Sequence, residues 1–468
     1  MLGASAGVVG MRAASEQRRL RLRFVPVRAH WVQAGVHLGL YGAWASHWPE
    51  VLHHGPHLLA QILFYYGFDV LLAWWRRDEV RTGFGPIPIV GSVNLFLWFR
   101  DDWFVWQFGL LAVGALAKEL VAWKREGRRA HVFNPSSFPL FFACMILWLG
   151  GLDATTWAGD IATNLGKTPH VWLWIFLLGL VVQSLFAVTL VTLSAVATLA
   201  VLNVAYTAAT GVYAWVDVGI PAAVFLGCHF LVTDPATSPR TTRGRLLFGT
   251  LYGASALALY LLLVETGGPA YYDKLLFVPF LNLAVRRLDG LGGGRPGRGA
   301  NLGHVAVGVA LFGALAATGM VGKRHPGRDV SFWEEACREG RYRACRSWVD
   351  LLDSRCHDGE WVRCREFAGL LAAGDHVARD LPDAGYHLTL ACQEGVAASC
   401  EEIPAFLAAD GEAALRADCA AGASLSCLVL GSLGTQGMGS EENRSLAAAR
   451  VERACELGLQ EACAWLRR

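Results

Sequence analysis

The sequence predicts an all-α protein in two parts: a polytopic membrane region of about eleven transmembrane helices, followed by an α/α solenoid. Three observations carry this. Apolar runs with little charge fill the first two thirds of the chain, arginine clusters recur at alternate ends of those runs, and ten of the 12 cysteines lie beyond residue 330 in one repeated pattern. With 54% hydrophobic and 17% charged residues over 468 positions, the chain is too apolar and too long for one soluble domain. The net charge of +2 comes with arginines in short clusters between apolar runs, so nothing points to nucleic acid as a partner; the lipid bilayer is the expected one.

The candidate spans run, in order, over 30–47, 57–75, 86–99, 102–122, 135–152, two within 171–206, then 218–233, 247–265, 273–285 and 303–321. The stretch from Val171 to Tyr206 carries no charged residue and, at about 1.5 Å per residue, is long enough to cross a roughly 30 Å hydrocarbon core twice. Residues 1–29 contain Arg12, Arg18, Arg19, Arg21, Arg23 and Arg28 and read as an inside-facing basic segment rather than a cleavable leader. With the spans alternating, the later clusters all fall on that same side: Arg76, Arg77 and Arg81; Lys124, Arg125, Arg128 and Arg129; Arg240, Arg243 and Arg245; Arg286, Arg287, Arg295 and Arg298. The intervening loops, such as "SHWPEVLHHGPH" and "ETGGPAYYD", carry few basic residues. The expected division is a membrane domain over 30–289, a glycine-rich linker over 290–302, an eleventh helix over 303–321 that carries the chain across, and a solenoid over 322–468. The protein is expected in the inner membrane, N-terminus cytoplasmic and solenoid periplasmic.

Five copies of Cys-x-x-Gly-x4-Cys test that topology: Cys337/Cys345, Cys356/Cys364, Cys392/Cys400, Cys419/Cys427 and Cys455/Cys463. In each copy the first cysteine ends a helix, the glycine supplies a left-handed cap, and the second cysteine sits early in the next helix. Such a pair can close as a disulfide, which belongs in an oxidising compartment; zinc is the rival reading, but it usually brings Cys-x2-Cys knuckles or adjacent histidines, whereas here seven residues always separate the two cysteines of a pair. Copies recur after 36 residues twice, with intervals of 19 and 27 residues elsewhere. The region Trp333 to Trp465 resembles the Sel1-like repeats, particularly their cysteine-rich secreted branch with one disulfide per repeat. That resemblance implies a docking or scaffolding module for a protein partner.

Two motifs stand out in the membrane region. In "RRAHVFNPSSFPLFF", Asn134 and Pro135 form a helix-start signature, with Asn as cap and Pro at the first helical position. In "HFLVTDPATSPRTTRGRLLFG", the Thr233-Asp234-Pro235 turn ends an apolar run, and Asp234 with Thr237, Ser238, Thr241 and Thr242 can hold a turn by side-chain-to-backbone bonds. Taken together, over about residues 60–290, these motifs and the "SVNLFLWFRDDWFVWQFGLLAVGALAKELV" stretch resemble the family of membrane subunits D of Rnf complexes and B of the sodium-pumping NADH:quinone reductase (RnfD/NqrB).

That resemblance implies two inverted five-helix repeats, broken helices pointing to a central site, other electron-transport subunits as partners, and FMN as a cofactor. It also makes Asn134, Pro135, Asp234, Pro235 and Thr237 candidate cofactor-site residues. The family carries phosphoester-linked FMN on a Thr of a Ser-x-Ala-Thr motif. Here "DIAT" keeps Ala162-Thr163 but has Asp160 in place of the Ser, in a shorter loop, which makes Thr163 the candidate attachment point.

Charge within a bilayer is costly and marks function or pairing. Asp69, inside the second span, is either part of an ion path or paired with a neighbouring helix, while Lys118 and Glu119 lie near an inner helix end. Cys144 and Cys228 cannot by themselves ligate an ordinary iron–sulfur cluster; they read as core residues or, in partnership with another subunit, as half of a site, core packing being the favoured account. No catalytic residue and no metal centre is assigned. The function so implied is that of a non-catalytic or flavin-carrying membrane subunit of a redox-driven ion pump; the alternative is a flavin-free membrane scaffold or solute transport protein.

Overall fold

The computed structural model describes residues 2–17, 19–125 and 127–466; Arg18 and the side chains of Arg81, Arg128 and Arg298, counted above among the basic clusters, lie outside the described residues. The chain divides into two compact units, Met1–Thr207 with Val218–His325, and Ala208–Asp217 with Pro326–Arg468.

The first unit begins with α1 (Leu2–Ser15), β1 (Arg21–Phe24), α2 (Arg28–Ala45), α3 (Glu50–His53), α4 (Gly55–Arg76), β2 (Glu79–Thr82) and α5 (Pro86–Asn94). It continues through α6 (Val105–Leu120), β3 (Ala122–Arg125), β4 (Arg128–His131), α7 (Ser137–Gly150), α8 (Ala158–Lys167), α9 (Val171–Phe186) and α10 (Thr189–Thr210). After these come α11 (Ala222–Leu226), a π-helical turn Gly227–Leu231, α12 (Thr242–Glu265), α13 (Val278–Gly290) and α14 (Arg298–Ala317). The strands were not expected. They make two ribbons, β1 with β2 in parallel (Arg21 opposite Glu79) and β3 with β4 antiparallel (Ala122 opposite His131), built from the basic segments read as loops.

Each of the predicted spans contains a helix, but their lengths differ. Among the described residues, four helices are long and apolar enough to cross a membrane alone: Glu50–Arg76, Thr189–Thr210, Thr242–Glu265 and Gly299–Ala317. The charge-free run breaks at Ala187, which takes a left-handed conformation (φ 54°) and separates α9 from α10. α8 and α9 meet at a bend of 100°. α5, α11 with its π-turn, and α13 span 9, 10 and 13 residues, about half to two thirds of a hydrocarbon core. Prolines explain their starts, since Pro86, Pro221 and Pro279 each stand at or beside the first helical position.

α10 and α12 pack through small residues, Gly249 and Gly253 being spaced four apart on α12. A Cβ on Gly249 would overlap the Val191 carbonyl and the Ser194 hydroxyl, and one on Gly253 the Ala195 carbonyl. The glycine-rich linker is itself docked: the Thr242 backbone N–H, at the start of α12, donates to the Gly294 carbonyl (2.9 Å), and α14 begins at Arg298, earlier than expected.

The second unit holds α15 (Val330–Arg338), α16 (Ala344–His357), α17 (Trp361–Ala373), α18 (Leu381–Gln393) and α19 (Ala397–Phe406). These are followed by α20 (Glu412–Ala420), α21 (Ser424–Thr435), α22 (Glu441–Ser445), α23 (Ala447–Glu456) and α24 (Gln460–Trp465). All five expected disulfides are formed, Cys337–Cys345, Cys356–Cys364, Cys392–Cys400, Cys419–Cys427 and Cys455–Cys463. The intervening Gly340, Gly359, Gly395, Gly422 and Gly458 all have positive φ, between 70° and 99°, so each supplies the left-handed cap. Leu388, Ile403, Leu415, Leu430 and Leu433 form an apolar cluster of these helices. The segment 208–217 belongs to this unit too: Arg341 donates to the Gly211 carbonyl (3.1 Å), and the Tyr213 ring lies 5.0 Å from that of Phe332.

Gly249→Val forces a branched side chain against backbone rather than against a movable side chain. The expected cost is at least about 1–3 kcal/mol, seen as a lower thermal transition of the detergent-solubilised chain. An unchanged transition would show that α10 and α12 are not held this closely.

Candidate functional site

The two membrane-region motifs, about a hundred residues apart in sequence, meet in a single polar knot. It is built on the β3–β4 ribbon, which carries Arg125 at its turn end, opposite Arg128, and His131 at its other end, opposite Ala122, and feeds the chain into Asn134. The Asn134 side-chain oxygen accepts from the N–H groups of Ser136 (2.8 Å) and Ser137 (3.2 Å), so it caps the start of α7. Its amide nitrogen donates to the Leu231 carbonyl (2.9 Å), at the end of the π-turn. One side chain thereby completes the beginning of one helix and the end of another. Pro135 follows, and its carbonyl faces Gly114 on α6, where a Cβ would overlap it.

The Thr-Asp-Pro turn closes onto this cap. Asp234 accepts from the Ala236 N–H (3.0 Å) through one oxygen, and from the Thr237 hydroxyl (3.0 Å) through the other. The second oxygen also faces His131 Nε2 at 3.1 Å. Pro235 lies within this turn, whose backbone is closed by bonds from Thr237 (3.2 Å) and Ser238 (3.0 Å) to the Asp234 carbonyl. Burial pushes the Asp234 carboxyl up, but the His131 hydrogen bond and charge, with the Ala236 N–H and Thr237 hydroxyl, outweigh it and hold the pKa below the ordinary carboxylate value.

Asn282, on α13, bridges the motifs. Its oxygen accepts from the Asn134 N–H (3.0 Å), and its amide donates to the Thr237 carbonyl (3.2 Å). A second bridge is ionic: Arg125 donates to the carbonyls of Ala236 and Ser238 (both 3.0 Å) and to Asp289 (2.6 Å). Asp289 in turn accepts from the N–H groups of Arg240 (2.6 Å) and Thr241 (3.1 Å), and the Thr241 hydroxyl caps α12 by accepting from Gly244 N–H. Sequence reasoning missed Arg125, His131, Asn282 and Asp289 as partners. Asn282, a lone amide within "VPFLNLAV", was the one available signal; Arg125 and Asp289 were hidden among basic clusters.

The other candidates stand apart from the knot. Thr163 is exposed on α8 and its hydroxyl donates back to the Gly159 carbonyl (3.1 Å). One turn earlier Asp160 pairs with Arg100 (3.1 Å), whose guanidinium lies 4.2 Å from the Trp157 ring centre. Asp69 and Lys118 pair with each other across α4 and α6, at 3.3 Å. Glu119 pairs instead with Arg77 (2.8 Å) and Arg129 (3.2 Å). Cys144 and Cys228 are free and buried. Asp273 and Lys274, which sequence reasoning passed over, form a buried ion pair (2.9 Å) beside the π-turn, where the Lys274 carbonyl accepts from Tyr252 (3.2 Å).

Residues 117–273 match the model of the NQR2, RnfD, RnfE family. The match starts at the end of α6 and takes in the Asn-Pro cap, α8 and the Asp-Pro turn; Asn282 and Asp289 follow just after it. It supports a membrane subunit of an Rnf/Nqr-type complex, in keeping with the apolar helices of a multi-pass membrane protein. No curated protein and no solved structure matches the chain.

Because the Asp234 pKa is lowered in the folded chain, its contribution to stability is present above the ordinary carboxylate pKa and is lost as pH falls through the lowered value. Asp234→Asn is expected to lower the thermal transition near neutral pH and to flatten its decline in acid. Superimposable pH profiles for the variant and the parent would remove Asp234 from the account of the knot.

Proposed function

We propose that the chain is the membrane subunit of an ion-translocating electron-transport system of the Rnf/Nqr type. The observation that carries this reading is the meeting of the Asn134 and Asp234 motifs, both inside the matched stretch, in one hydrogen-bonded knot. In this reading the knot shapes the inner mouth of the subunit, the N-terminus is cytoplasmic, and the repeat unit is outside, where it docks a protein partner in the manner of Sel1-like repeats. Substrate oxidation belongs to other subunits. The Asp69–Lys118 pair is the candidate for the ion path, because an ion pair between packed helices can be opened by a passing cation.

FMN on Thr163 is the proposed cofactor. The residues around it fit in part: the Thr163 hydroxyl is exposed for esterification, and Lys167, in the last turn of α8, brings positive charge to that helix for a phosphate. When bound, FMN supplies one-electron relay chemistry. The chain's own part is to present the hydroxyl, to neutralise Asp160 through Arg100, and to anchor α8, where Gly159 abuts the Tyr271 ring. Asp160, standing where the family has Ser, favours the second reading, a flavin-free scaffold or solute pathway.

Peptide mass spectrometry of the chain purified from its native membrane is expected to find an FMN phosphoester on Thr163, absent in Thr163→Ala. The variant should fold normally, because the lost hydroxyl makes one local bond on an exposed face. An unmodified Thr163 in cells with active flavin-attachment machinery would overturn the flavin relay and favour the scaffold.

A further inference from the structure

The Cys356–Cys364 disulfide has a neighbour that a disulfide does not need. His387, one helix further along on α18, points Nδ1 at Cys356 Sγ from 3.2 Å. Both cysteines and the histidine are buried, at 0%, 0% and 3% exposure. A buried imidazole nitrogen requires a good partner, and a disulfide sulfur is a weak one. The other imidazole nitrogen, Nε2, faces the Asp383 carboxylate at 3.4 Å. A carboxylate on Nε2 keeps the proton there and leaves the Nδ1 lone pair aimed at the sulfurs, the arrangement of a metal-ligating histidine.

The sulfurs of Cys356 and Cys364 and a nitrogen of His387 lie within 4.8 Å of one another. A tetrahedral thiophilic cation, with about 2.3 Å to sulfur and about 2.0 Å to nitrogen, needs ligand atoms about 3.5–3.8 Å apart. Opening the S–S bond lets the two sulfurs separate to that distance without moving their helices far. Among the described residues, one other pair has a histidine in reach, Cys337/Cys345 with His376, but His376 is exposed.

We propose that in the reduced chain Cys356, Cys364 and His387 form a binding site for a thiophilic divalent cation of the zinc class, so that disulfide and metal are alternative closures of the same corner. Reduction by a dithiol transfers two electrons and two protons to the disulfide, giving two thiols while the dithiol becomes a disulfide. Metal binding then displaces both thiol protons. Three protein ligands leave the fourth position to water or an external donor. The two closures differ in reach: the disulfide ties α16 to α17, whereas the metal also holds α18 through His387.

The test uses the full chain in detergent, reduced with a phosphine under anaerobic conditions. The rate of thiol alkylation is mapped peptide by peptide with and without Zn2+. Zn2+ is expected to slow labelling of Cys356 and Cys364 by about tenfold or more, leaving Cys392 and Cys400 unaffected, and His387→Phe should remove the protection. Asp383→Asn, which keeps all three ligands and disturbs the fold less, should weaken Zn2+ binding by about 10–100-fold. Three results would overturn the site: labelling of Cys356 and Cys364 that ignores Zn2+, including the case where reduction unfolds the repeats; equal protection at all five pairs; or full protection surviving in His387→Phe.

Discussion

One guanidinium holds the membrane unit's base together. Arg125 reaches two carbonyls of the Asp-Pro loop and the Asp289 carboxylate at the end of α13, while β4, the strand paired with its own, leads into the helix cap at Asn134. Its side chain is 8% exposed, so water gives it little help. A charge in that position is tolerated only because each of its bonds has a partner that also needs one. Asp289 passes the constraint on by accepting the backbone N–H groups that lead into α12. The ribbon, the loop and two helix ends are therefore fixed by the same pair of ions.

The short helices explain why such a knot exists. A helix that stops within an apolar layer leaves backbone groups unsatisfied at its end, and lipid supplies no partner. α7 starts, and the π-turn ends, at one amide side chain, that of Asn134. α5 shows the same device: Asn94, its last residue, bonds back to the Val90 carbonyl (2.9 Å) and exchanges bonds with Gln61 on α4. Amides suit this role because they donate and accept at once and carry no charge to desolvate.

What could be read from sequence alone was whatever depended on neighbouring residues. The cysteine pairs, their glycine caps and the Asx-type turn at Asp234 are local, and all are found where the residues indicated. The helix cap at Asn134 was equally legible. Its second bond, to Leu231, was not, because nothing nearby in sequence specifies a partner 97 positions away. The break at Ala187 carries no signal either, since alanine favours helix and takes a left-handed conformation here under tertiary constraint. Asp69 was legible as a residue needing an explanation. Its partner Lys118, 49 positions later, was legible only as a separate charge near an inner helix end.

The repeat unit's cross-links are all short in sequence, and this governs how it can deform. The bonds join α15 to α16, α16 to α17, α18 to α19, α20 to α21 and α23 to α24. Among the described residues, no disulfide crosses from α17 to α18, from α19 to α20, or from α21 to α23. The array is thus four covalently closed blocks joined by seams of ordinary packing, such as the Gln393 to Ser432 bond (2.6 Å) between α18 and α21. Bending at a seam costs only side-chain contacts, whereas bending at a corner would strain covalent geometry. Oxidation therefore gives this unit stiff corners while leaving its curvature adjustable.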